Sequence, residues 1–113
     1  MKSPQQKNLE RKSRIIAPKS FPEIQTILQG GANHFRAHIL FVLLEQPGMN
    51  LDQINQLVGG DFKNISFHVK KLHTLGLVYK KYEGNSVHHR LSNEGRLLAQ
   101  FIKKLTDQNI LPG

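Results

Sequence analysis

Cationic and hydrogen-bonding side chains are concentrated between residues 62 and 75, where they could recognise a polyanion. Three lysines stand there with an asparagine and a serine, residue types that bind the phosphates and base edges of duplex DNA. Ile65, Val69 and Leu72 recur at helical spacing, so one stripe of the predicted helix faces a core. We expect DNA contacts from Lys63, Asn64, Ser66, Phe67, His68, Lys70 and Lys71.

Three of these side chains have chemistry that suggests particular contacts. The amide of Asn64 can pair with adenine through two hydrogen bonds, and Lys70 suits a phosphate or a guanine. Phe67 is apolar on the predicted outer face, where it could touch a thymine methyl group. The alternative is a solvated basic face on a domain that binds no nucleic acid.

After Gly76 the hydrophobic period changes from helical to two, which predicts a hairpin of two short strands. The segment Glu83-Gly84-Asn85-Ser86 supplies the turn. A basic hairpin that follows a helix-turn-helix is typical of a wing, and residues 79–90 fit this description. We expect the wing to lie along the DNA backbone or the minor groove. We expect wing contacts from Lys80, Lys81, Asn85, Ser86, His88 and Arg90.

Helix signals before this region define the elements that must position it. Ser20 and Glu23 form a capping-box pair, as do Asn50 and Gln53, and Asp61 can cap the helix predicted over residues 62–75. The predicted order is four helices, a hairpin and a last helix. The fold class is therefore mainly α with a small β-hairpin wing, a winged helix-turn-helix, over residues 20–113.

Composition favours a polyanion as partner. Sixteen Lys and Arg against eight Asp and Glu give a formal net charge of +8, and binding to phosphates would release counterions. Residues 1–19 are polar and basic, which predicts a flexible arm. The arm has no apolar signal segment and no apolar run is long enough to span a membrane, so the cytoplasm is the expected location.

The last helix has an apolar stripe with two interpretations. It could only cap the core, or it could pack on its copy in a homodimer, which we favour because two half-site readers bind DNA better than one. The first helix, with Ile24, Ile27 and Leu28, could join that interface. The expected dimer contacts are Leu98, Phe101, Ile102 and Leu105.

Residues 64–78 (NISFHVKKLHTLGLV) resemble the recognition-helix signature of the ArsR-like winged-helix repressors. Residues 83–87 look like that family's wing turn, and residues 91–96 resemble the start of the last helix in MarR-like and PadR-like relatives. The resemblance covers roughly residues 33–105. It implies a dimeric, sequence-specific DNA-binding protein in which Ser66 and His68 approach DNA.

The chain departs from the metal sensors of that family. It has no cysteine, and the last helix has no histidine and a lone Asp107 near its end. His34 and His38 are spaced i, i+4, but two ligands are too few without a partner subunit. We therefore expect no metal and no cofactor.

The chain contains no Gly-rich phosphate loop, GxSxG or HExxH, so we expect no enzyme activity. The predicted function is a sequence-specific regulator of transcription that binds double-stranded DNA. The alternative is a winged-helix module that binds protein or RNA. RNA binding favours aromatic residues on an exposed sheet, for which Tyr79 and Tyr82 are the candidates.

Overall fold

The computed structural model describes residues 17–107, which form five helices and a two-stranded antiparallel hairpin. The first sixteen residues of the predicted arm and residues 108–113 lie outside the described part. The order of elements agrees with the prediction. The elements are α1 (Phe21–Gly31), α2 (His34–Glu45), α3 (Leu51–Val58), α4 (Phe62–Thr74), β1 (Val78–Glu83), β2 (Ser86–Leu91) and α5 (Asn93–Thr106).

Side-chain caps fix where the helices begin. The Glu23 backbone N–H donates to Ser20 Oγ over 3.3 Å, and the Gln53 backbone N–H donates to Asn50 Oδ1 over 2.9 Å, so both predicted capping boxes are present. Asp61 precedes α4 as predicted, but its side chain makes no capping hydrogen bond. The start of α4 is therefore fixed by its packing and not by a polar cap.

Helix α2 lies at the centre of the domain and packs against the other four helices and β2. It is apolar around most of its circumference because it has neighbours on most sides. The core of buried apolar residues consists of Ile39, Leu40, Val42, Leu43, Met49, Ile54, Ile65, Val69, Leu72, Leu77, Val78, Leu91, Leu98 and Ala99. No helix within residues 17–107 is long and apolar enough to cross a membrane.

The hairpin is connected to the end of α4 and to the loop after α2. Gly76 adopts a φ of +77° just after α4, a conformation that favours glycine, and so turns the chain into β1. The strands pair from Val78–Leu91 at the base to Glu83–Ser86 at the tip. Met49 adds an isolated bridge to His89, so the loop after α2 is tied to the hairpin.

The start of helix α5 packs closely against the backbone at Leu77. The Ser92 backbone N–H donates to the Leu77 carbonyl over 3.0 Å, and Ser92 Oγ donates to the Gly76 carbonyl over 2.7 Å. A Cβ at Gly95 would overlap the Leu77 carbonyl. The glycine in the first turn of α5 thus lets this helix lie directly on the start of the hairpin.

Candidate nucleic-acid interface

Helix α4 presents two different faces. Its inner face carries Ile65, Val69 and Leu72, which are at most 2% exposed and fix the helix on the core. Its outer face carries lysines, and no carboxylate in the described part of the chain pairs with Lys63, Lys70 or Lys71. The cationic groups of this face are therefore free to meet an external anion.

A polar groove of about 490 Å³ separates α4 from the hairpin. The predicted site residues Ser66 and Lys70 form one wall, and Lys80, Asn85 and Ser86 form the other. The structure thus brings together five predicted contact residues from two elements. The other lining residues are Asn50, Leu51, Asp52, Phe62, Val69, Tyr82, Val87 and His89. Tyr82, which is 70% exposed, is a wing residue that the predicted site did not include.

Phe67 projects from the middle of the outer face of α4 with 62% of its surface exposed. Lys63 and Lys70 share this strip, since they lie four residues before it and three residues after it. Asn64 and Lys71 are seven residues, or about two helical turns, apart on the flank away from the groove. Asn64 is partly buried, and Lys71 is exposed. Predicted contacts of α4 therefore occupy the middle and both flanks of the helix.

The two faces of the hairpin are not equivalent. Lys80 belongs to the face that looks onto the groove, whereas the neighbouring Lys81 belongs to the opposite face with His88 and Arg90. Glu83 lies 3.9 Å from Lys81 Nζ and 3.8 Å from His88 Nε2. Of the wing cations predicted to contact DNA, Lys80 alone lines the groove.

His88 and His89 point in opposite directions, as their positions on a strand predict. His89 is 2% exposed, and its Nδ1 lies 3.0 Å from the Met49 carbonyl oxygen. His88 is partly buried, with its Nδ1 2.6 Å from the Gly48 carbonyl oxygen. Burial lowers the pKa of His89, and the nearby Lys80 lowers it further, against the opposing effect of the Met49 hydrogen bond. His89 therefore packs in the interior as a buried histidine.

The prediction that His68 faces DNA is wrong in the structure, because this side chain is 7% exposed and turned inward. Arg36 Nη1 lies 3.2 Å from His68 Nδ1, and the Phe35 ring stacks on the imidazole. A guanidinium has no acceptor, so Nδ1 accepts and the neutral ring carries its proton on Nε2. The pKa of His68 is lowered by burial, and also by Arg36 and His34.

Arg36 is a structural residue that the sequence interpretation missed. Its guanidinium also donates to the Gly30 carbonyl over 3.1 Å and to the Gln29 carbonyl over 3.0 Å, so it caps the end of α1 while it holds His68. The sequence did contain a signal, because His68 is three residues after Ile65 and four before Leu72. That spacing places it in the inward stripe.

The predicted dimer residues divide between two faces of α5. Leu98 is 8% exposed and Ile102 packs on the core, so these two are corrected to core positions. Phe101 is 56% exposed and Leu105 is 71% exposed. Leu97, which is 58% exposed, lies on the same side four residues before Phe101 and was missed.

An apolar groove of about 600 Å³ runs between α1 and the exposed side of α5. We call this surface the α1–α5 groove. Ile24, Ile27 and Leu28 of α1 line it, as the sequence suggested for the first helix. Its remaining lining residues are Lys19, Glu94, Leu97, Leu98, Gln100, Phe101 and Lys104.

His34 and His38 are both exposed on α2. Within residues 17–107 no three or more His, Asp or Glu side chains are grouped so that they could hold a metal ion. His34 instead packs its ring against Phe35, with 4.0 Å between the ring centroids.

The two-faced helix α4, the preceding α3 and the adjacent hairpin define a winged helix-turn-helix. No protein-family model matches the sequence, and no curated protein matches it closely enough to be a relative. Solved structures do share the fold. HlyU from Vibrio cholerae N16961 superposes with a TM-score of 0.69 at 23% identity, over 79% of this chain and 97% of that one.

Two further solved structures share the fold. The transcriptional repressor PagR of Bacillus anthracis gives a TM-score of 0.66 at 20% identity, over 74% of this chain and 93% of that one. Mb0332 from Mycobacterium bovis, a homodimeric winged helix-turn-helix DNA-binding domain and possible ArsR-family regulator, gives 0.65 at 22% identity, over 84% and 94%. The predicted resemblance to ArsR-like winged helices is thus confirmed for the fold.

Proposed function

We propose that this protein is a non-enzymatic, cytoplasmic regulator of transcription that binds double-stranded DNA as a homodimer. Helix α4 lies in the major groove, and the hairpin lies on the backbone or in the minor groove. The observation that carries the proposal is the outer face of α4, where unpaired lysines flank an exposed Phe67 on a helix fixed to the core. PagR and Mb0332, which share the fold, are a repressor and a DNA-binding domain.

The geometry divides the proposed contacts into two groups. Lys70 and Lys80 stand on opposite walls of the polar groove, where both can bind the phosphates of one strand. Asn64 lies on the far side of α4 and Phe67 on its middle, where they read a base edge and a thymine methyl, respectively. The basic arm adds affinity through phosphates without setting the sequence.

A second copy of the chain is the proposed occupant of the α1–α5 groove. Leu97, Phe101 and Leu105 project from α5 beside an apolar wall from α1, a patch that monomers seldom leave in water. A two-fold dimer covers the patch and presents two α4 helices to two half-sites. The homodimeric Mb0332 gives a precedent on the same fold.

Selection of bound sites from a random duplex pool tests the proposal. We expect an enriched pseudo-palindromic sequence and an affinity for it that falls steeply with salt. A preference for single-stranded RNA, or the absence of nucleic-acid binding at low salt, would show that the protein- or RNA-binding alternative is correct.

Replacement of Asn64 tests the reading of bases within the selected site. Asn64→Ala should reduce discrimination at one base-pair position by about 1–3 kcal/mol and leave the other positions unchanged. Gln25→Ala removes an exposed amide from α1, outside the groove-lining residues, and serves as the control. Identical preferences of Asn64→Ala and the unaltered protein at every position would contradict the assignment.

A further inference from the structure

A small polar cavity of about 250 Å³ lies where the base of the hairpin meets α2 and α5. Two arginines line it, Arg90 from β2 and Arg96 from α5, together with Tyr79 from β1. Apolar residues complete its wall, namely Leu43, Leu44, Pro47 and Leu91. Tyr79 and Arg90 are directly paired on the hairpin face that points away from the polar groove, so this cavity is separate from the proposed DNA surface.

Both arginines have an unused hydrogen-bond donor. The Nε atoms of Arg90 and Arg96 are out of solvent and have no hydrogen-bond partner within residues 17–107. No ion pair is formed by either guanidinium with a described carboxylate. A guanidinium whose Nε is removed from water without an acceptor is poorly stabilised, and an anion in the cavity that accepts from its terminal N–H groups would offset this.

The carboxylates nearest in sequence are already committed to other cations. Glu45, which follows Leu44, pairs with Lys103 Nζ over 2.8 Å. Glu94, two residues before Arg96, pairs with Lys19 Nζ over 3.1 Å. The positive charge of the cavity is therefore not neutralised by these neighbours.

The backbone around the two arginines holds them in place. The Arg90 guanidinium lies against the turn after α2, because a Cβ at Gly48 would stand 3.3 Å from Arg90 Nη2. Arg96 lies in the first turns of α5, whose start is fastened to the chain at Gly76 by Ser92 Oγ. The two side chains thus come from elements that are fixed relative to each other.

We propose that this cavity binds a small anion that carries a phosphate or a carboxylate group. A guanidinium offers a planar set of N–H donors that matches the oxygens of these two groups, and two guanidiniums favour a doubly charged ligand. The volume is below the ~300–1,000 Å³ of pockets for larger organic ligands, so the anion is inorganic phosphate or a short-chain acid. The bound anion accepts from the terminal N–H groups of both guanidiniums.

Calorimetric titration of the full chain in chloride buffer at constant ionic strength tests this site without DNA. Inorganic phosphate and succinate are the two probes, and they distinguish a phosphate site from a dicarboxylate site. We expect saturable binding of at least one of them. Arg96→Gln and Arg90→Gln should each weaken that binding by about tenfold or more.

The double variant Glu45→Gln/Lys103→Gln is the control, since it removes the neighbouring ion pair outside the cavity without leaving a free carboxylate beside it. It should bind the anion as the unaltered chain does. Arg96→Lys keeps the charge but lacks the planar pair of terminal N–H donors, and we expect it to bind as weakly as Arg96→Gln. Circular dichroism and urea midpoints identify variants that do not fold, in which case Arg96→Lys decides.

Four results would overturn the proposal. The first three are the absence of saturable binding of both anions, equal binding by the arginine variants and the unaltered chain, and equal weakening in Glu45→Gln/Lys103→Gln. A fourth is that the arginine variants lose affinity for duplex DNA while no small anion binds, which would assign the two arginines to DNA phosphates.

Discussion

Helices α4 and α5 each place one apolar face on the core, and they differ in what the opposite face exposes. The outer face of α4 carries Lys63, Lys70 and Lys71 around one exposed aromatic ring. On α5 the exposed face carries Leu97, Phe101 and Leu105, beside an apolar wall from α1. The same domain therefore offers one cationic and one apolar surface.

This difference separates two kinds of partner. A cationic face with hydrogen-bonding side chains gains from phosphates through counterion release, whereas an apolar face gains from removal from water. The affinity for DNA and the association of the chain should consequently respond to different substitutions. The inner faces of both helices are common to the two functions, because they hold the outer faces in position.

The largest effect is expected on the inner face of α4. Leu72 is fully buried, so Leu72→Ala should lower the free energy of unfolding by about 2–5 kcal/mol and weaken every function of the domain. Phe67→Ala on the outer face should change it by less than about 0.5 kcal/mol. Urea unfolding measures both. Equal losses for the two variants would contradict the two-faced assignment of α4.

The next effect concerns the exposed face of α5. Phe101→Glu puts a charge into the α1–α5 groove and should raise the dimer dissociation constant by about thirtyfold or more, as an aromatic residue at the centre of an interface does. Sedimentation equilibrium measures the constant. Phe67→Glu is the matched control, since it makes the same change at an exposed phenylalanine on α4.

The two glutamate variants sharpen the comparison further. Phe67→Glu should remain dimeric and lose DNA affinity directly, through charge repulsion at the phosphates. Phe101→Glu should lose DNA affinity because a monomer no longer contacts the second half-site. A chain that is monomeric at micromolar concentration before any substitution would refute the dimer, and a Phe67→Glu variant that dissociates would move the interface to α4.

Much of this arrangement was predictable from local sequence. The capping boxes at Ser20 and Asn50, the turn at Gly76 and the change of period after it each act over a few residues, so they locate helices and strands directly. The inner stripe of α4 was also predictable from spacing. The function of the outer face followed from residue types once the inner face was known.

The misassignments have different causes. His68 was assigned to DNA through the family resemblance, although its spacing from Ile65 and Leu72 already indicated the inward stripe. Arg36, 32 residues earlier, supplies the buried partner that lets this polar ring face inward. Leu98 was assigned to the dimer because it forms an apolar stripe on the last helix with Phe101, Ile102 and Leu105. Which side of α5 faces the core depends on how α1 and α2 pack, and the sequence of α5 alone does not specify it.

The inner faces of α4 and α5 should respond differently to pH. His68 lies on the inner face of α4, whereas the buried residues of α5 are Gly95, Leu98 and Ala99. The pKa of His68 is below its ordinary 6.5 in the folded state, and so is that of His89, mainly through burial. Below about pH 6.5 the unfolded chain therefore binds more protons than the folded chain. Stability should be complete above that pH and decline as the pH falls through 6.5 toward the lowered values.

Urea midpoints at pH 7.5 and 5.5 measure this decline. His68→Gln should reduce the difference between the two midpoints, because one of the two responsible groups no longer titrates. His38→Gln, at an exposed position on α2, should leave the difference unchanged. If all three chains show the same difference, His68 does not carry the pH dependence and the buried Arg36–His68 contact is not its source.

The smallest expected effect is a single lysine on the outer face of α4. Lys63→Gln should weaken binding about equally on matched and mismatched duplexes and lower the slope of log Kobs against log salt by about 0.9, the value for one phosphate contact. Lys103→Gln removes the same charge from α5 and should leave the slope unchanged. An equal change in both slopes would mean that net charge alone attracts DNA, and the difference between the exposed faces of α4 and α5 would then carry no information about where DNA lies.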